Sequence, residues 1–143
     1  MAIGLRDYAF DDVPAETDDG TSIRVANASG REVHELIAIR LPDDERRPLA
    51  DLAALGPGEL VQQFDTEPDA VLVAPPGQAG IPVVGDGTLG RPGRYLFVCM
   101  IPTGADPQTY LEAARKATDG PPQVPGGPPH VTQGMIAELT VRG

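Results

Sequence analysis

Period-two alternation of apolar and polar side chains is the dominant local pattern of this chain. Residues 21–27 (TSIRVAN) place Ile23 and Val25 on one face and run into the turn Asn27-Ala28-Ser29-Gly30, which predicts a half-buried strand. Residues 33–41 (VHELIAIRL) predict a second strand. Its one face carries His34, Leu36, Ala38 and Arg40, and the other carries Val33, Glu35, Ile37, Ile39 and Leu41. The strongest strand signal is residues 94–100 (RYLFVCM), which leave the Pro92-Gly93 turn with Tyr95, Phe97 and Cys99 on one face and Met100 pointing the opposite way. Residues 135–141 (MIAELTV) alternate again and predict a closing strand. Between residues 56 and 90, Gly and Pro punctuate the chain so often that only residues 70–74 (AVLVA) read as a strand. Two stretches read as helices. Residues 48–55 have Pro48 in a first turn and Gly56 as a stop. Residues 106–120 have Asp106 as cap, Pro107 in the first turn, Tyr110, Leu111 and Ala114 on one side, and Gly120 as the end.

Short strands at irregular spacing, with turn signals between them and one helix inside a loop, predict an all-β antiparallel sandwich rather than an α/β fold. One domain over residues 1–143 is expected, large enough to bury a hydrophobic core without a disulfide. The formal net charge of −10 excludes a nucleic-acid binder, because phosphate binding needs clustered Lys and Arg. It fits either a solvated acidic surface or steering toward a basic partner. No run of about 18 apolar residues is present, so no transmembrane segment is expected. The N-terminal residues lack the basic start and apolar stretch of a signal peptide.

The soft-ligand inventory is small: two histidines, one cysteine and three methionines. Cys99 has no disulfide partner in the chain and is either an inert core thiol or chemically employed. A copper site that cycles between Cu(I) and Cu(II) needs a thiolate and imidazoles, and tolerates a weak thioether on its axis. His34, Cys99, His130 and Met135 supply that set, and His130-Val131-Thr132-Gln133-Gly134-Met135 is short enough to turn both end side chains toward one atom. Each has an ordinary alternative: a strand-edge histidine, a buried thiol, an exposed loop histidine and a core methionine.

The run Pro92-Gly93-Arg94-Tyr95-Leu96-Phe97-Val98-Cys99, then His130, Gly134-Met135 and Leu139-Thr140-Val141, resembles the C-terminal half of the plastocyanin-like blue-copper proteins, the cupredoxins. The matched residues cover about a third of the chain, and an early histidine after an Asn-containing strand end agrees with them. The resemblance implies a Greek-key β-sandwich and one type 1 copper ion. His34 and His130 become the equatorial imidazoles, Cys99 the thiolate and Met135 the axial ligand. Asn27 is then expected to tie the two ligand loops together. The family keeps its cysteine and second histidine a few residues apart, whereas residues 100–129 separate them here. A loop insertion of that length is thermodynamically cheap if its ends stay close, so residues 106–129 are expected to form a capping excursion.

The resemblance implies a monomeric electron-transfer protein with a redox protein as partner, exported to the periplasm or the extracellular space, and no enzymatic turnover. Copper storage or delivery is a second reading within the metal class. A metal-free cupredoxin-like domain that binds another protein through its long loops is a third. A nucleophilic Cys99 with His34 or His130 as base is disfavoured by its position in a strand, with no helix N-terminus to lower its pKa.

Overall fold

The computed structural model describes residues 1–63, 67–117 and 121–143. Its largest sheet has six strands in the order β3 (Glu16–Asp18), β11 (Ile136–Arg142), β10 (Gly93–Val98), β6 (His34–Arg40), β7 (Ala70–Ala74) and β8 (Ile81–Val84). A second sheet has the order β2 (Ala9–Asp11), β1 (Ala2–Arg6), β5 (Arg24–Asn27), and β4 (Thr21–Ser22) pairs with β9 (Thr88–Leu89). The central pairs are antiparallel: β10 lies between β11 and β6 with Phe97 opposite Ala137 and Ala38. Two pairs are parallel, β1 with β5 and β11 with β3, so the sandwich is mixed rather than wholly antiparallel.

Alternation explains the two buried layers. Tyr95, Phe97 and Cys99 point into the core between the sheets, where they meet Leu36 and Ala38 of β6, Leu139 and Val141 of β11, and Ile3, Leu5 and Val25 of the smaller sheet. Phe97 and Phe10 meet edge to face across that core, ring centroids 6.4 Å apart. Leu96 and Val98 face the other way, under Leu52 of α1 (Leu49–Ala53) and Leu60 of α2 (Pro57–Gln63). Met100 packs in this outer layer, opposite Cys99 as expected.

Several expectations need correction. Residues 21–27 are two strands, not one: Ser22 pairs with Thr88, Arg24 with Ala2, and Ile23 between them donates its N–H to Gly87 O. Ile23 and Val25 are both buried, which is why the alternation looked continuous. The segment 56–90 also holds α2, β8 and β9. Strand β8 is an exposed edge containing Pro82, a combination without the apolar alternation of a half-buried strand. Pro48 caps α1 from outside, and the helix ends at Ala53, before Gly56. The helix predicted over residues 106–120 is α3 (Pro107–Lys116), with the Asp106 carboxylate accepting from Thr109 N at 2.9 Å; its expected stop, Gly120, lies outside the described residues.

Asp69 pins the start of β7 to the β10 side. Tyr95 donates its hydroxyl proton to Asp69 at 2.6 Å, and Arg91 pairs with the same carboxylate. Burial would raise the Asp69 carboxyl, but these partners hold it below 3.8, and burial beside Asp69 pushes the Tyr95 phenol up to about 12. Asp69→Ala is expected to cost about 1–3 kcal/mol in urea unfolding at pH 7. Because the folded carboxyl is depressed, its charge-dependent contribution is complete above the ordinary value of 3.8 and is lost as pH falls through the lower folded value, where the gap between mutant and parent should narrow.

Candidate metal centre

His34 opens β6 and Cys99 follows β10, so the antiparallel pairing of these strands brings them to the same end of the sheet. The third residue, His130, arrives by way of residues 100–129. Their ends are zipped together: Thr103 N donates to Pro128 O at 3.0 Å, Gly127 N to Thr103 O at 2.8 Å, His130 N to Ile101 O at 2.9 Å and Val131 N to Cys99 O at 2.8 Å. The closed base makes the length of the excursion irrelevant to the position of His130. A single 3-10 turn (His130–Gln133) follows, capped by Gly134 at φ 104°, a left-handed conformation that favours glycine. This reversal returns the chain to Met135, whose N–H donates to His130 O and whose carbonyl accepts from Cys99 N, both at 3.3 Å.

The result is a buried convergence of donors. His34, Cys99 and His130 are each fully buried, and their ligand atoms lie within 4.8 Å of one another. His34 Nδ1 is 3.2 Å from His130 Nδ1, which is 3.3 Å from Cys99 Sγ. The imidazoles are tilted by 56° with centroids 4.8 Å apart. Met135 is fully buried in the same core cluster as Cys99. The outer nitrogens have carboxylate partners: His34 Nε2 faces Asp7 Oδ1 at 2.8 Å and His130 Nε2 faces Glu32 Oε2 at 3.2 Å.

These contacts decide the proton inventory. A carboxylate only accepts, so each imidazole carries its proton on Nε2 and presents a lone pair on Nδ1. Two nitrogen lone pairs and a sulfur then share one thiol proton within a dry pocket. Burial disfavours charging the rings: desolvation lowers both histidine pKa values, and for His130 the neighbouring His34 lowers it further. Burial and the charge of Glu35 push the Cys99 thiol well above its ordinary range. A soft cation supplies the missing positive charge and takes the thiolate, so the donor set fits copper.

Three further residues shape the centre and were not singled out from the sequence. Glu35 is buried; its N–H donates to Cys99 Sγ at 3.5 Å, while its carboxylate accepts from Tyr110 OH at 2.9 Å and Met100 N at 3.2 Å. Tyr110 thereby fastens α3 to the strand that carries His34. Glu32 accepts from Gly104 N at 3.0 Å and Tyr8 OH at 3.2 Å, joining the loop before β6 to the loop after Cys99. The link expected of Asn27 is different: its amide donates to Glu32 O and Ala74 O, and its carbonyl accepts from Ser29 N, so it braces the His34 loop against β7. Glu32 makes the tie between the two ligand loops. A glutamate inside the apolar run VHELIAIRL was the available signal for Glu35; Asp7 and Glu32 reach their histidines only through tertiary structure.

No protein-family model and no curated protein sequence matches the chain. Among solved structures, it is similar to dithionite-reduced auracyanin from the photosynthetic bacterium Roseiflexus castenholzii, at 18% identity and a TM-score of 0.53, covering 99% of this chain and 95% of that one. Auracyanin A, a blue copper protein from Chloroflexus aurantiacus, aligns at 17% identity and a TM-score of 0.48, covering 99% and 97% of the two chains. The first likeness, spanning nearly both chains, shows the architecture: this chain has the cupredoxin fold.

Proposed function

We propose that this protein is a one-electron carrier with a single type 1 copper ion, which the imidazoles of His34 and His130 and the thiolate of Cys99 would hold, with the thioether of Met135 as a weaker fourth ligand. The observation that carries this reading is the buried meeting of two Nδ1 atoms and one Sγ, with no protein N–H donor aimed at either Nδ1 among the described contacts. Bound there, copper would supply a one-electron couple whose two oxidation states share one donor geometry. The protein's part is to keep that geometry fixed. Glu35 N–H steadies the sulfur, the 3-10 turn and Gly134 hold His130 against Met135, and the buried rings and thiol exclude water. A buried thiol with a raised pKa offers no thiolate to a substrate, which favours a carrier over a cysteine hydrolase. The reading implies one domain over residues 1–143, export, and a second redox protein as partner. No helix among the described residues is long and apolar enough to cross a membrane.

Loading should release the Cys99 proton. Because the thiol pKa is raised, the site stays protonated through neutral pH, and Cu(II) affinity should rise about tenfold per pH unit while pH remains below that pKa. Calorimetry in buffers of different ionisation enthalpy reads the proton count; one proton per copper is expected. Carrier and storage roles separate on cycling the loaded protein with ascorbate and ferricyanide. A carrier bleaches and recolours with one electron per chain and retains its copper. Loss of the metal on each reduction would instead indicate delivery.

A further inference from the structure

We propose that Asp7 and Glu32 are paired positioning residues that fix the two ligand imidazoles from behind and bias the centre toward the oxidised ion. The inference rests on the copper reading above and extends it to residues outside the ligand set. Each histidine presents its Nδ1 to the common point and its Nε2 to a carboxylate, at 2.8 Å for Asp7 and 3.2 Å for Glu32. The symmetry is functional rather than local, because Asp7 lies beyond β1 and Glu32 in the loop before β6.

Both carboxylates are themselves held. The Glu32 side chain is 7% exposed and accepts from Gly104 N and Tyr8 OH, while its own N–H donates to Ser29 Oγ. The Tyr8 ring covers His130 with centroids 4.9 Å apart. Asp7, 24% exposed, has Arg31 at 3.6 Å on its open side. An imidazole whose outer N–H is bound to a carboxylate is locked in tautomer and orientation, and is a more basic ligand. Charge adds a second effect. With the Cys99 thiolate, Asp7 and Glu32 place three negative charges around the ion, added to that of the buried Glu35, which every variant retains, and offset locally by Arg31. An extra electron is less welcome there than in a site backed by neutral carbonyls, because Coulomb interactions are weakly screened in a dry pocket.

The test uses the full chain loaded with Cu(II), comparing the parent with Asp7→Asn and Glu32→Gln. Asparagine keeps an oxygen able to accept from His34 Nε2 and removes only the charge; calorimetric melting identifies any variant that is misfolded. Each variant is expected to keep its visible band, bind Cu(II) ten- to hundredfold more weakly in chelator competition, and lose less affinity for Cu(I). Each tenfold preferential loss of Cu(II) reads as a rise of about 59 mV in midpoint potential. A purely structural role would not produce that directional shift. If Glu32→Gln fails to fold, Asp7→Asn decides alone, since Asp7 sits at the surface end of the pair. Folded variants with the parent's affinity and potential overturn this inference and leave the copper reading standing. A parent with no copper band overturns both.

Discussion

Cys99→Ser is expected to leave a folded protein that has lost tight Cu(II) binding and every thiolate-to-copper absorption feature. The side chain is fully buried, and although a serine oxygen sits closer to Cβ than the sulfur does, a small shift brings its hydroxyl to the thiol's two partners, Glu35 N and His130 Nδ1. The stability cost is therefore about 1–2 kcal/mol, the scale of a repaired polar substitution rather than a cavity. The metal has no such repair. Serine does not ionise at any pH the fold survives, so two neutral imidazoles and a thioether remain, without the anionic ligand that copper requires here. The loss of affinity should exceed the ten- to hundredfold that accompanies removal of an outer-shell partner. Isothermal calorimetry of parent and mutant, with urea unfolding as the stability control, checks both halves of the expectation.

The largest stability effect is expected from Glu35→Ala. The glutamate carboxyl is buried, its pKa raised by desolvation against the hydrogen bonds of Tyr110 and Met100. Alanine leaves Tyr110 OH and Met100 N without acceptors, and at about 1–3 kcal/mol for each stranded donor the total should reach about 2–6 kcal/mol. Tyr110→Phe removes one contact and should cost about 1–2 kcal/mol. Glu35→Gln can still satisfy both neighbours, because the tyrosine hydroxyl can turn to accept from the amide, so its loss should stay within about 1 kcal/mol. Urea unfolding of the three variants checks the order: Ala most destabilised, Phe intermediate, Gln least. Equal losses for Gln and Ala would show that the clasp is not what holds α3 to β6.

How much of this was legible depended on range. The run RYLFVCM carries its own answer, because each alternate residue commits to one of two buried layers, and Cys99 and Met100 separate as that alternation requires. The helix caps are equally local, and Asp106 caps α3 through a residue only three positions away. The order His34, Cys99, His130 and Met135 suggests the proposed ligand set, and three of those four present donor atoms within one small volume. What escaped was carried by long-range pairing. β3 is three residues long and its partner β11 closes the chain; its register has no signature in the sequence of either strand. Strand β8, exposed at all four positions, has nothing to alternate. Asp7 and Glu32 belong to loops, and their pairing with imidazoles 27 and 98 residues away depends on how β1 and the loop after Cys99 pack.

Whether Cys99 Sγ and two imidazoles form a copper centre is decided by a single titration. Reduced, metal-free protein is titrated with Cu(II) while its visible spectrum is recorded, with Cys99→Ser in parallel. An intense charge-transfer band that saturates at one equivalent is expected in the parent and is absent from the mutant. No band in the parent, or the same band in Cys99→Ser, would contradict it.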